Sequence, residues 1–302
     1  MFTFPSMGTQ VSVGAPSLRD WEEHALALDV QDLFARQEAR FSRFSERSEL
    51  SSLHRTTGPT VVSTDLFATL LAARDHHRAT GGLFDPAIGG ALIALGYDRS
   101  FALGGLDRES ASTSTPRGSF AEVTLDPRTL TVERPGHVRL DLGGLVKGRT
   151  VDRAAASLPS IGVIEAGGDA YLRGPGPEGT GWCVDVEDPF DARRVLVTLR
   201  VSDRGVATSA PNRRRWRVGS SIAHHLVDPR TQRPSTSDLS QVTVVAATAE
   251  LAEVLSKTLY LLGGEGARHV LPSLGDITAV LVDQQGAFEV IGAPESVEVS
   301  HA

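Results

Sequence analysis

Between Asp20 and Phe41, apolar residues recur every three to four positions, at Leu26, Val30, Leu33, Phe34 and Phe41. That spacing predicts a helix with one apolar face. Before it, residues 8–14 alternate like a short strand. Ser63 and Asp65 open a second helix through Leu70, Leu71 and Ala72, stopped by Gly81-Gly82. Val138 to Leu142 has a strand pattern and leads into Gly143-Gly144, and a helix is expected from about Lys147 to Leu158. Further strands are expected at 161–166, 181–187, 195–201 and 241–247. A helix from about Thr248 to Leu262 should end at Gly263-Gly264, and strands at about 277–283 and 287–291 form a closing hairpin. Residues 99–120 are rich in Gly, Ser and Thr, contain Pro116, and read as a mobile loop or insertion. Strands and helices mix without regular alternation, so the expected class is α+β rather than a doubly wound sheet. With no internal repeat and no clean linker, residues 1–302 read as one domain.

Composition narrows the function. The 302 residues are 40% hydrophobic and 22% charged, a balance that suits a folded globular chain. Thirty Lys and Arg against 37 Asp and Glu leave a formal charge of −7, which gives no global reason to bind nucleic acid or an anionic membrane. One cysteine, Cys183, excludes an intramolecular disulfide and any Cys-based zinc or iron–sulfur site. It lies in the alternating run Trp182-Cys183-Val184-Asp185-Val186 and is expected to be a small buried hydrophobe. Met1-Phe2-Thr3-Phe4-Pro5 lacks a leader pattern and no stretch is long enough to span a bilayer, so a cytoplasmic, unanchored protein is expected.

Four glycine-bearing junctions carry the candidate chemistry: Gly81-Gly82-Leu83-Phe84-Asp85-Pro86, Asp141-Leu142-Gly143-Gly144-Leu145-Val146-Lys147-Gly148, Glu165-Ala166-Gly167-Gly168-Asp169, and Gly263-Gly264. Paired glycines let the backbone approach a ligand closely, as phosphate binding requires. For any single pair a tight turn is the plainer explanation. The second junction carries more weight, because it puts an acid, two glycines and a lysine at a helix N-terminus, a favourable place for an anion. It is neither a Walker loop nor a Gly-x-Gly-x-x-Gly dinucleotide motif. In His224-His225-Leu226-Val227-Asp228, strand alternation lets at most one histidine face a site. The run Arg213-Arg214-Arg215-Trp216-Arg217 reads as an exposed strand or loop face.

Taken in order, these pieces resemble the ApbE family of FAD:protein FMN transferases. The resemblance runs from Met7-Gly8-Thr9 to Gly263. It includes Phe41-Ser42-Arg43-Phe44 with Ser48-Glu49-Leu50-Ser51, the Gly81 and Asp141 junctions, Ala166-Gly167-Gly168-Asp169, Thr208-Ser209, and His225 to Thr231. It implies an α+β fold with an elaborated T-fold-like core, FAD as substrate, and a divalent metal, usually magnesium. It implies transfer of FMN to a Ser or Thr hydroxyl of a target protein through a phosphoester, with release of AMP. By the same resemblance, Met7, Phe44, Leu83, Phe84, Asp85, Asp141, Lys147, Thr208 and His225 bind FAD. His225 is the candidate base or phosphate contact, and Asp228, the other catalytic candidate, orients the turn. The metal positions map to the Gly144 carbonyl, Glu253 and Lys257.

The chain departs from the family pattern at the metal. Glu253 and Lys257 stand where the family has Asp and Thr. A protonated lysine cannot ligate a cation, and the pair has the spacing of a helical i,i+4 ion pair. Three readings follow: Lys257 replaces the metal's charge, Ser256, Thr258 or water repairs the coordination, or catalysis is lost. Ala87, Glu165, Ala210, Gln232 and His54 are further departures. The expected function is therefore FMN transfer, with flavin binding without transfer, or FAD pyrophosphate hydrolysis, as alternatives.

Overall fold

The computed structural model describes residues 1–110, 118–292 and 297–301. Its helices are α1 (Asp20–Phe41), α2 (Glu49–Arg55), α3 (Thr64–Ala79), α4 (Gly89–Ala94), α5 (Val146–Ala155) and α6 (Ala249–Val270). The chain divides into two compact units. The first comprises Met1–Phe34, Lys147–Ala210 and Thr236–Ala302, and the second comprises Ala35–Val146 and Pro211–Ser235.

An eight-stranded, wholly antiparallel sheet organises the first unit. Its order is Phe2–Ser6, Thr9–Gly14, Gly162–Ala166, Asp169–Arg173, Arg204–Ser209, Leu239–Ala246, Thr278–Asp283 and Phe288–Ile291. Alternation along the strands supplies two cores. Ile164 and Ala166 face a cluster with Leu26, Val30 and Phe34 of α1 and Val151 and Ala154 of α5. Val163 faces the other, with Val197, Leu199 and Val201 from the three-stranded sheet Trp182–Glu187, Val195–Val201 and Val297–His301. Leu239–Ala246 is buried throughout, as a central strand covered on both faces must be.

Two tight hairpins shape this unit. Met7 and Gly8 join the first two strands with φ of 51° and 70°, the left-handed pair that a two-residue type I′ turn requires. Gly167-Gly168 does the same between Ala166 and Asp169, and a Cβ at Gly167 would meet the Thr9 hydroxyl. That junction is thus a turn in the plain sense.

The second unit is built on α2, α3 and α4, a small sheet of Thr60–Val61, Thr131–Glu133 and Thr124–Asp126, and two short hairpins, Arg215–Val218 with Ser221–His224 and Val227–Asp228 with Arg233–Pro234. Leu92, Tyr97, Trp216 and Val227 are among its core residues. The Ser63 hydroxyl caps α3 by accepting from Leu66 N, as the sequence predicted, and Gly81 and Gly82 end it in left-handed conformations.

Three expectations are corrected. Val138–Leu142 is no strand: it makes one isolated bridge, Arg139 to Ile88, because the Asp141 and Leu140 N–H groups go to Pro86 O and the His54 ring. α6 breaks at Gly263 (φ 75°, ψ 175°) but resumes to Val270, because Asp238 Oδ1 accepts from Gly264 N at 2.9 Å and restarts it. Cys183 is exposed, not buried. Trp182, Val184 and Val186 face the core and put Cys183 on the outer face. Of the stretch expected as an insertion, 111–117 lie outside the described residues. Before them, Arg108 bridges Val218 in parallel fashion.

Candidate functional site

In the first unit, the N-termini of α5 and α6 cap each other. Asp152 of α5 accepts from Ala249 N (2.8 Å) and Glu250 N (2.9 Å) at the start of α6. Glu253 of α6 accepts from Gly148 N (2.9 Å) in the first turn of α5. Carboxylates satisfy the unpaired N–H groups of a helix start and complement its dipole. Only glycine allows this approach at 148: a Cβ there would lie 2.6 Å from Ala249 O. Burial, set against those two N–H groups and reinforced by the Glu250 and Glu253 charges, leaves the Asp152 pKa raised to about 6.

The α5 N-terminus expected to greet a phosphate therefore already holds a carboxylate, and a charged cluster surrounds it. Lys147 pairs with Asp169 Oδ2 and lies 3.6 Å from Glu253 Oε1. Lys257, one turn beyond Glu253, lies 4.0 Å from the same oxygen, as its spacing predicted. Asp169 and Glu253 are only 2% and 4% exposed, so their charges need these partners. Nearby hydroxyls are also engaged. Ser209 Oγ and Ser256 Oγ are 2.9 Å apart, Thr258 donates to Val254 O, and Thr208 pairs with Thr243 at 2.8 Å. Met7 sits in the first hairpin, partly buried against the α1 core.

Magnesium, which the resemblance implies, takes oxygen ligands in tight octahedral geometry. Here Glu253 directs one oxygen to an amide and the other toward two ammonium groups. Among the described residues, no group of three or more His, Cys, Asp or Glu side chains is arranged to hold an ion. The hydroxyls of Ser256 and Thr258 are turned to other partners. Glu253 and Lys257 do not fit a divalent cation. Gly144 lies in the second unit.

In the second unit, Arg43 organises a stack that sequence reasoning passed over. Its guanidinium carbon lies 4.1 Å from the Phe44 ring centroid and 4.6 Å from that of Tyr97. Arg43 Nε donates to Asp141 Oδ2 at 2.5 Å, and Nη1 donates to Tyr97 O at 2.6 Å. Phe44 is 37% exposed, so a ring backed by a cation presents itself to solvent. Burial alone would raise the Asp141 pKa, but the Arg43 charge and the Gly143 N–H outweigh it and hold the group below the usual carboxylate range. The only sequence hint of Arg43 is its place beside Phe44, because Asp141 is 98 residues away.

The other predicted residues divide. Asp85 is turned inward: it accepts from Ala87 N, Phe120 N and Ser119 Oγ, and His77 Nδ1 lies 3.7 Å away. Burial outweighs these contacts and raises its pKa. Phe84 is buried with its ring near His76, and Leu83 is half-buried. Asp228 grips Arg230 through both carboxylate oxygens (Nη2 at 2.7 Å) and receives its N–H. Burial of Asp228 is outweighed by Arg230, which keeps its pKa low and ties it to the turn. His225 sets Nδ1 3.4 Å from Arg214 O, whereas His224 Nε2 faces Ser235 O at 3.1 Å. The strand Ser221–His224 ends at the first of them, so His225 lies beyond it and strand alternation does not apply across the pair.

A model of the ApbE family matches residues 7–281. An FAD:protein FMN transferase of Treponema pallidum is 26% identical over 285 residues, 86% of this chain and 78% of its own. One of Klebsiella pneumoniae is 27% identical over 304 residues, 96% of this chain and 92% of its own. The crystal structure of the ApbE protein from Thermotoga maritima superposes with a TM-score of 0.83 at 26% identity, covering 95% of each chain. The family match takes in every residue discussed above as a site candidate, and the chain belongs to the ApbE family.

Proposed function

We propose that this chain is an FAD:protein FMN transferase whose acceptor is a Ser or Thr hydroxyl of a target protein. The observation that carries the reading is the family match over residues 7–281, with relatives of that name aligned over most of their length. In the reaction, the acceptor oxygen bonds to the flavin-side phosphorus of FAD. The bond from that phosphorus to the bridging oxygen breaks, AMP leaves with the electron pair, and the hydroxyl proton passes to a base. The protein's work is to position the groups, counter the phosphate charge and take that proton.

The roles follow from what each side chain can do. In the first unit, Lys147 is a compact cation suited to phosphate, and Asp169 and Glu253 hold it in place. In the second unit, Phe44 offers an aromatic face for a planar ring, fixed from behind by Arg43. A proton on His225 Nδ1, directed at Arg214 O, leaves the lone pair on Nε2, the form a general base requires. Asp228, locked to Arg230, orients the turn that follows His225.

The test incubates the purified chain with FAD and a pool of Ser- and Thr-containing peptides, and reads peptide mass and AMP together. The reading expects peptides heavier by one FMN group, with AMP. A second reading, a chain that holds flavin without transferring it, is favoured by the paired charges around Glu253. FAD bound and recovered intact would support that reading, and AMP with free FMN would indicate hydrolysis.

A further inference from the structure

At Glu253 two ammonium groups, Lys147 and Lys257, gather about one carboxylate, and Lys147 also pairs with Asp169. Glu253 Oε1 lies 3.6 Å from the Lys147 ammonium and 4.0 Å from that of Lys257, and Oε2 accepts from Gly148 N at 2.9 Å. Both lone-pair regions that a metal would use are thus directed at donors. A dication at Glu253 would sit beside two like charges, in a place where burial leaves little water to screen them. Hydroxyls that could complete a coordination shell point elsewhere: Ser256 pairs with Ser209 and with Glu253 O, and Thr258 with Val254 O.

We propose that this site works without a divalent metal. Lys257, with Lys147, supplies at Glu253 the positive charge a metal ion would supply, and excludes the ion. The inference rests on the flavin-transfer reading for the anion this charge serves, and on the cluster alone for metal exclusion. Neither ammonium forms or breaks a bond in the reaction; both act as fixed charge beside the phosphates.

The experiment has two arms on the purified full chain. In the first, Mn2+ is titrated without FAD and free ion is followed by its paramagnetic resonance signal. The wild type should leave the Mn2+ free. Lys257→Thr and Lys257→Ala, which remove the cation, should bind it at least about tenfold more tightly. Lys257→Arg, which keeps the charge, should still exclude it and controls for folding. In the second arm, AMP release from FAD in the presence of the Ser- and Thr-containing peptide pool is measured in EDTA and in excess Mg2+, and the wild-type rate should be the same in both. Stoichiometric Mn2+ uptake by the wild type, or loss of AMP release in EDTA, overturns the proposal. Failure of both neutral variants to gain Mn2+ overturns the role given to Lys257. If no AMP appears in any condition, the flavin-transfer reading fails, and the Mn2+ arm still decides metal exclusion.

Discussion

His54 makes the stability of the second unit sensitive to acid in a way that can be worked through. Its Nε2 accepts the Leu140 N–H at 3.0 Å, one residue before Asp141. Only the neutral ring can accept there. Burial first, and then the Arg134 and Arg139 charges, lower its pKa from 6.5 to about 4. The unfolded chain binds this proton near 6.5, and the folded chain resists it until about 4. Below pH 6.5 the unfolded state therefore holds more protons. The contribution is complete above that pH and is lost as pH falls toward 4. A gap of about 2.5 pKa units corresponds to about 3 kcal/mol, a large part of the 5–15 kcal/mol typical of a domain. His54→Asn keeps an acceptor oxygen for Leu140 N–H and removes the titration. Urea unfolding of wild type and variant between pH 7.5 and 4 should show the wild type losing about 3 kcal/mol relative to the variant. A difference that stays flat with pH, or an imidazole resonance of His54 titrating near its ordinary pKa, would refute the argument.

Other expectations concern the remaining features. Asp152 has the opposite sign: with its folded pKa raised to about 6 from 3.8, its contribution is present below pH 3.8 and is lost as pH rises through 6. Unfolding of wild type against Asp152→Asn should show the wild type gaining about 3 kcal/mol as pH falls across that window. Because this offsets His54, only comparisons with each variant separate the two. Arg43→Lys keeps the charge but loses the planar stack and one of two hydrogen bonds, and fluorescence titration should show FAD bound about tenfold more weakly, with the circular dichroism unchanged. Gly148→Ala drives a Cβ into the Ala249 carbonyl, which is backbone and cannot step aside. It should cost about 1–3 kcal/mol in urea unfolding.

Local signals in the sequence were read well where the cause was itself local. The apolar spacing of α1, the Ser63 cap, the Gly81-Gly82 stop and the start of α6 near Thr248 all depend on residues within a few positions of themselves. The failures have distant causes. Val138–Leu142 alternates like a strand, yet its N–H groups find a proline carbonyl and a histidine ring elsewhere in the chain. α6 resumes after Gly263 because of an aspartate 26 residues upstream. Cys183 was a different kind of error, since Trp182, Val184 and Val186 already fixed which face was inner. The i,i+4 pairing of Glu253 with Lys257 was legible from spacing. The second lysine beside Glu253 was not, nor was the reciprocal capping of α5 and α6, since both depend on contacts across about a hundred residues.

The central claim is transfer of FMN, and the most direct measurement follows both halves of one substrate. FAD labelled separately in its adenine and flavin portions is incubated with the chain and an acceptor-containing protein mixture, and each label is traced after denaturation. The account predicts flavin label bound covalently to protein at Ser or Thr, in amounts equal to the AMP released. AMP matched by free FMN, or both labels recovered as intact FAD, would contradict it.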